Sequence, residues 1–134
     1  MERLFLDANV LFSAAYKEGA VCAALWRLPD VELITSGYAL EEARRNLAVA
    51  DRLERLAALA AQMRIVATPA VAEVPKGIEL REKDRPILAS ALASGATHLV
   101  TGDLRDFGPY FGKRVGRLRI VAMREYLKSR LEKR

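Results

Sequence analysis

The sequence predicts an α/β fold, one domain built on a mostly parallel sheet with helices on both faces. Two observations predict it. Short apolar runs of strand length alternate along the chain with longer stretches of helical period, the order expected of repeated βα units. Strands that alternate with helices in this way form a mostly parallel sheet covered on both faces. The second is that the 134 residues contain no internal repeat, low-complexity tract or linker. A chain of roughly 150 residues buries close to 70% of its unfolded surface, enough for a real core.

The first run, 3–6 (RLFL), is closed by Asp7-Ala8-Asn9, and 10–16 then has helical character. Glu18-Gly19 breaks the pattern. Helical spacing resumes over 20–28 (AVCAALWRL), with Cys22 and Trp26 as core residues, until Pro29-Asp30 supplies a stop. A second strand follows at 31–35. Ser36 is placed to cap a helix through Val49, and Asp51 begins another that reaches about Gln62. Residues 63–66 (MRIV) give a third strand. The stretch holding Pro69, Pro75 and Gly77 has no period and reads as a loop.

The chain is organised around 83–107, KDRPILASALASGATHLVTGDLRDF. If Asp84 begins a helix, Ile87, Leu88 and Ala91 follow at i+3, i+4 and i+7, so the acid heads the apolar stripe. A carboxylate aimed at a core needs a partner. Ser94-Gly95-Ala96 ends that helix, 97–101 is a buried strand, and Gly102-Asp103 opens the next loop. Ligands of open α/β sheets bind at that end of the strands. A Gly-rich basic segment, 108–116, precedes a last strand at 118–121 and a helix over 123–131.

Hydrophobic residues make up 51% and charged residues 29%, and no run of eighteen apolar residues or signal-like start is present. These features predict a soluble, cytoplasmic protein with no membrane association. A single cysteine excludes an internal disulfide. The net charge of +5 favours a polyanionic partner. Its excess gathers at Arg44, Arg45, Arg52 and Arg55, at 113–119, and at 128–134. The plainer reading is that these residues coat solvated helix faces.

The acids have plain readings as well. Asp7 suits a helix cap, Asp84 an N-cap with Pro86 in the first turn, and Asp103 and Asp106 turn formation. In a parallel sheet, however, the strand ends after Leu6 and Thr101 share one edge, and the start of the Asp84 helix can approach it. Carboxylates about 6 Å apart repel by roughly 3 kcal/mol per pair at an effective dielectric near 20, so the fold must protonate some or bind cations. Oxygen donors without a Cys or His cluster select Mg²⁺ or Mn²⁺. A pair of such metals in a basic protein points to phosphodiester hydrolysis. Helical geometry leaves open whether Glu41 or Glu42 joins the site, because both lie about 130° from the apolar stripe on opposite sides.

LDANVLFSA at 6–14, LEEARRNL at 40–47 and the 83–107 stretch together resemble the PIN domain family. Within it, the chain is similar to the small single-domain members, many of them toxins of VapC-like toxin–antitoxin pairs. The resemblance implies a Rossmann-like five-stranded parallel sheet in the order 3-2-1-4-5 and a metal-dependent ribonuclease site. It places the acids on Asp7, Glu42, Asp84 and Asp103, with Asp106 as a further metal ligand and Asn9 and Thr101 as supporting polar residues. It also implies RNA as substrate, a cognate antitoxin as partner and frequent dimers. Arg44, Arg45, Lys113 and Arg114 are the expected RNA contacts. Tyr110 and Phe111 suit either base stacking or packing beneath their loop, and His98 suits a structural role in its strand.

Two other readings compete with a nuclease. A PIN fold that binds RNA or protein without cutting is opposed by the intact acid set. A phospho-acceptor receiver domain needs paired acids after the first strand, where Ala8 and Asn9 stand instead.

Overall fold

Leu4, Phe5 and Leu6 are consecutive and all fully buried, although successive strand side chains point to opposite faces. Their strand, β1 (Glu2–Leu6), is therefore covered on both sides and lies at the centre of the sheet. This is a computed structural model that describes residues 1–70 and 74–132. Strands β2 (Val31–Ser36), β3 (Arg64–Val66), β4 (His98–Thr101), β5 (Arg114–Val115) and β6 (Leu118–Ala122) complete the sheet in the order β3-β2-β1-β4-β6-β5. Every neighbouring pair is parallel except β5 and β6.

The expected five-stranded parallel core is thus present, with β6 as its fifth member, flanked by helices. The addition is β5, an antiparallel edge strand drawn from the segment that the sequence left without a role. Gly112 and Gly116 take φ of 80° and 62°, which lets 108–116 turn back on β6. Tyr110 and Phe111 are partly buried against the core. The Tyr110 hydroxyl accepts from the Glu79 N–H at 2.8 Å, so packing, the plainer of the two readings, describes these aromatics.

Helix α1 (Ala8–Tyr16) follows β1 directly, and α2 (Gly37–Asn46) follows β2, capped by Ser36, whose Oγ accepts from the Ala39 N–H at 3.1 Å. Helix α2 stops three residues short of the expected Val49. The Asn46 side chain donates back to the Glu42 carbonyl at 2.9 Å, and Leu47 leaves helical dihedrals to bury itself. Helix α3 (Ala50–Ala60) then begins with Val49 as its flanking residue. The stretch expected as a helix over 20–28 is a 3-10 helix, Val21–Arg27. Three residues per turn stack Cys22 and Leu25 into one buried row and leave Val21 71% exposed. Trp26 is half-buried and donates from Nε1 to the Leu59 carbonyl at 3.0 Å.

The loop expected around 67–81 is irregular where described, with 71–73 outside the described residues. A 3-10 turn, Glu82–Asp84, leads into α4 (Arg85–Ala93), and α5 (Met123–Glu132) closes the chain. Of the basic run at 128–134, residues 133–134 lie outside the described residues. No helix among the described residues is long and apolar enough to cross a membrane.

Candidate functional site

The register of β1 against β4 pairs Leu6 with Val100, so Asp7 and Thr101 meet one step further on, at the carboxyl edge of the sheet. Asp7 caps α1 through Oδ1, which accepts from the Ala8 N–H at 2.7 Å. The cap reading is therefore correct but incomplete. Its Oδ2 accepts from the Thr101 hydroxyl at 2.9 Å and from Asn9 Nδ2 at 3.3 Å. Thr101 Oγ1 in turn accepts from the Asp103 N–H at 3.0 Å, and Asn9 Oδ1 from the Gly102 N–H at 2.8 Å. Asn9 and Thr101 thereby lock the two strand ends together.

Asp84 is held differently. It stands at the start of α4 with Pro86 in the first turn, yet its side chain makes no cap bond. It is 6% exposed, and its Oδ2 has no hydrogen-bond partner among the described residues. Burial, the adjacent Asp106 carboxyl and the charges of Asp7 and Asp103 push its pKa up to about 7. Asp7 is pushed up to about 6 by burial, against the bonds from Thr101 and Ala8 that favour its charged form.

Asp103 does form a turn, with Oδ1 accepting from the Arg105 and Asp106 N–H groups at 3.1 Å each. One ligand oxygen from each of Asp84, Asp103 and Asp106 lies within 4.8 Å of the others. Asp7, Glu42, Asp84 and Asp103 all line one cleft of about 430 Å³. Glu41 instead faces solvent in an ion pair with Arg44 at 3.3 Å. Tyr38 fixes the Glu42 helix to the Asp84 turn by donating its hydroxyl to the Lys83 carbonyl at 2.8 Å. An all-oxygen donor set around a buried, unpartnered carboxylate oxygen fits a hard divalent cation.

The model of the PIN domain matches residues 3–105. This chain belongs to the PIN domain family. Solved PIN-type structures agree in fold: VapBC2 of Rickettsia felis, bound to a DNA fragment from its promoter, has a TM-score of 0.63 at 16% identity, covering 90% of this chain and 98% of that one. The DNA-bound VapBC of Salmonella typhimurium gives 0.61 at 19%, covering 92% and 99%. VapC20 of Mycobacterium tuberculosis, a Sarcin-Ricin loop cleaving toxin, gives 0.58 at 16%, covering 84% and 99%. No curated protein sequence matches the chain.

The PIN fold brings the expected acids together and separates the expected RNA contacts. Arg114 lines a groove of about 690 Å³ with Glu2, Thr97 and Arg119, at the opposite edge of the sheet from the acids. His98 lines the same far groove, edge-on to Tyr126 with ring centroids 5.3 Å apart, and takes no part in the acidic cleft. Lys113 is exposed on the edge beside β6, whereas Arg44 and Arg45 lie on the exposed side of the Glu42 helix.

Sequence reasoning missed Lys83 and Asn46, which line the cleft, and Arg81. Arg81 donates to Asp106 Oδ2 from Nε at 2.9 Å and from Nη2 at 2.5 Å, and its Nε lies 4.0 Å from Asp84 Oδ2. This guanidinium holds the Asp106 carboxyl below the usual carboxylate range. The i, i+3 spacing of Arg81 and Asp84 was the available signal, but it lay in a segment without period.

Proposed function

We propose that this PIN domain is a Mg²⁺- or Mn²⁺-dependent endoribonuclease and the toxin of a toxin–antitoxin pair acting in the cytoplasm. The observation that carries the reading is the buried Asp84 Oδ2, unpartnered beside Asp103 and Asp106 at the end of a cleft that Asp7 and Glu42 also line. A structural carboxylate so placed should be satisfied or replaced. Asp84, Asp103 and Asp106, whose ligand oxygens lie within 4.8 Å of one another, would hold the metal together with Asp7 and Glu42 of the same cleft. When bound, the metal supplies an activated water and charge neutralisation at a phosphodiester.

The chain's own residues do the rest. Thr101 and Asn9 orient the Asp7 carboxylate, Ser36 and Tyr38 hold the helix that carries Glu42, and the apolar stripe below Asp84 keeps water from that carboxyl. Asp84 near neutrality accepts a cation only on losing its proton, so metal uptake releases protons. Lys83, at the rim of the cleft, supplies a point charge suited to an RNA phosphate. The VapBC assemblies of Rickettsia felis and Salmonella typhimurium support a cognate antitoxin as partner. A homodimer is part of the same reading.

The test is cleavage of structured and single-stranded RNAs with Mg²⁺, Mn²⁺ or chelator, beside Asp7→Asn and Asp84→Asn. Cleavage is expected only with metal and is reduced at least about 100-fold in both variants. Cutting in chelator, or variants as fast as the native protein, would defeat the mechanism. Tight metal-free RNA binding without any cleavage would establish the binding-module reading instead.

A further inference from the structure

We infer that Arg81 is a built-in counter-cation of the acidic centre, standing where a second divalent ion would be needed, so that the site takes one metal and not two. The inference rests on the proposed metal site and concerns what else balances its charge. Both Nε and Nη2 of Arg81 converge on one oxygen of Asp106, and the same Nε lies 4.0 Å from the unpartnered oxygen of Asp84. The guanidinium is thus shared between two members of the trio whose oxygens lie within 4.8 Å.

Arg81 already supplies a positive charge to Asp106 and Asp84, two of the five carboxylates of the centre. A second ion would sit about 4 Å from the first and require its own oxygen shell. The Oδ2 of Asp106 already accepts two N–H bonds from Arg81 and is not free to join that shell. Arg81 cannot yield by losing its proton, because a guanidinium stays charged at all ordinary pH. Asp106 is only 10% exposed on its side chain, so without Arg81 it must recruit another cation or a proton. Arg81 itself is 45% exposed, and shortening it opens no core cavity.

The experiment is titration of the full chain with Mn²⁺, followed by calorimetry and by the free-Mn²⁺ electron paramagnetic resonance signal. Native protein is expected to bind one Mn²⁺ per chain, Arg81→Gln to bind two, and Arg81→Lys to return to one, because the charge is restored. Adding Asp106→Asn to Arg81→Gln removes the freed carboxylate and brings the count back to one. Two Mn²⁺ of similar affinity on native protein overturn the inference while leaving the metal site standing, and need no variant to fold. A single ion on folded Arg81→Gln also overturns it. Native protein that binds no Mn²⁺ removes both this inference and the metal-dependent reading.

Discussion

Asp7 and Asp84 are both buried acids at the same sheet edge, and only one of them is satisfied. Asp7 has three donors on its two oxygens, whereas Asp84 Oδ2 has none among the described residues. Their pKa values rise from an ordinary 3.8 to about 6 and about 7. A carboxyl with a raised folded-state pKa binds its proton more tightly folded than unfolded. Between about pH 4 and pH 7 the folded chain keeps protons that the unfolded chain has lost, so stability falls as pH rises. The expected result is a melting temperature of chelator-treated protein that drops across this window. Asp84→Asn has no charge to bury and drops less. Mn²⁺ should restore more stability at about pH 8 than at about pH 5, since it binds the deprotonated form. A native profile parallel to that of Asp84→Asn would show that Asp84 is not the destabilised group. The position of Asp84 was legible in the sequence because an acid headed an apolar stripe. Glu42 was chosen over Glu41 only by family resemblance. Arg81 left only its i, i+3 spacing to Asp84 as a sign, since its closer partner Asp106 lies 25 residues further on and that ion pair is purely tertiary.

At the scale of elements, the sequence disclosed the strands because near-continuous apolar runs have few alternatives in a chain of this size. It was less informative where tertiary contacts chose between similar local forms. The 3-10 helix of Val21–Arg27 exists to stack Cys22 and Leu25 in one row, and α2 ends early because Asn46 and Leu47 find better partners outside it. The two-residue β5 carries too little pattern to be read at all. At the junction of β1 with β4, one hydroxyl serves three partners. Thr101 donates to Asp7 and accepts from Asn9 and from the Asp103 backbone. Thr101→Val keeps the shape and leaves those groups without their partner, so unfolding in urea should show a loss of about 1–3 kcal/mol. The orientation of Asp7 goes with it, and Mn²⁺ affinity should fall about 10-fold or more. Ser36→Ala loses only the α2 cap, about 1 kcal/mol, with an unchanged denaturant slope. A Thr101→Val protein that binds Mn²⁺ as tightly as native would mean the strand junction does not set the ligand geometry.

Across the whole molecule, the basic excess divides into cations that build the fold and cations left exposed on its surface. Arg55 closes the end of α1 by donating to the Ala15 and Tyr16 carbonyls at 3.0 and 3.1 Å, and Arg52 stacks on Tyr16 at 3.7 Å from the ring centroid. These two belong to packing, although the sequence counted them with the polyanion surface. Arg45 lies one turn after Glu42 on the helix that forms a wall of the acidic cleft, and is exposed. Arg114 sits across from Arg119 in the β5–β6 pair, at the far edge of the sheet. An RNA strand whose scissile phosphate lies in the acidic cleft therefore meets Arg45 before Arg114. Binding of a single-stranded RNA to the inactive Asp84→Asn protein, followed by fluorescence anisotropy across salt concentrations, separates them. Arg45→Gln should flatten the slope of log affinity against log salt by about 0.7, one phosphate contact on a single strand, and Arg114→Gln should leave it unchanged. If Arg114→Gln flattens the slope as much as Arg45→Gln, the RNA path runs around the sheet edge to the far groove, and the hairpin that carries Arg114 belongs to the RNA-binding surface.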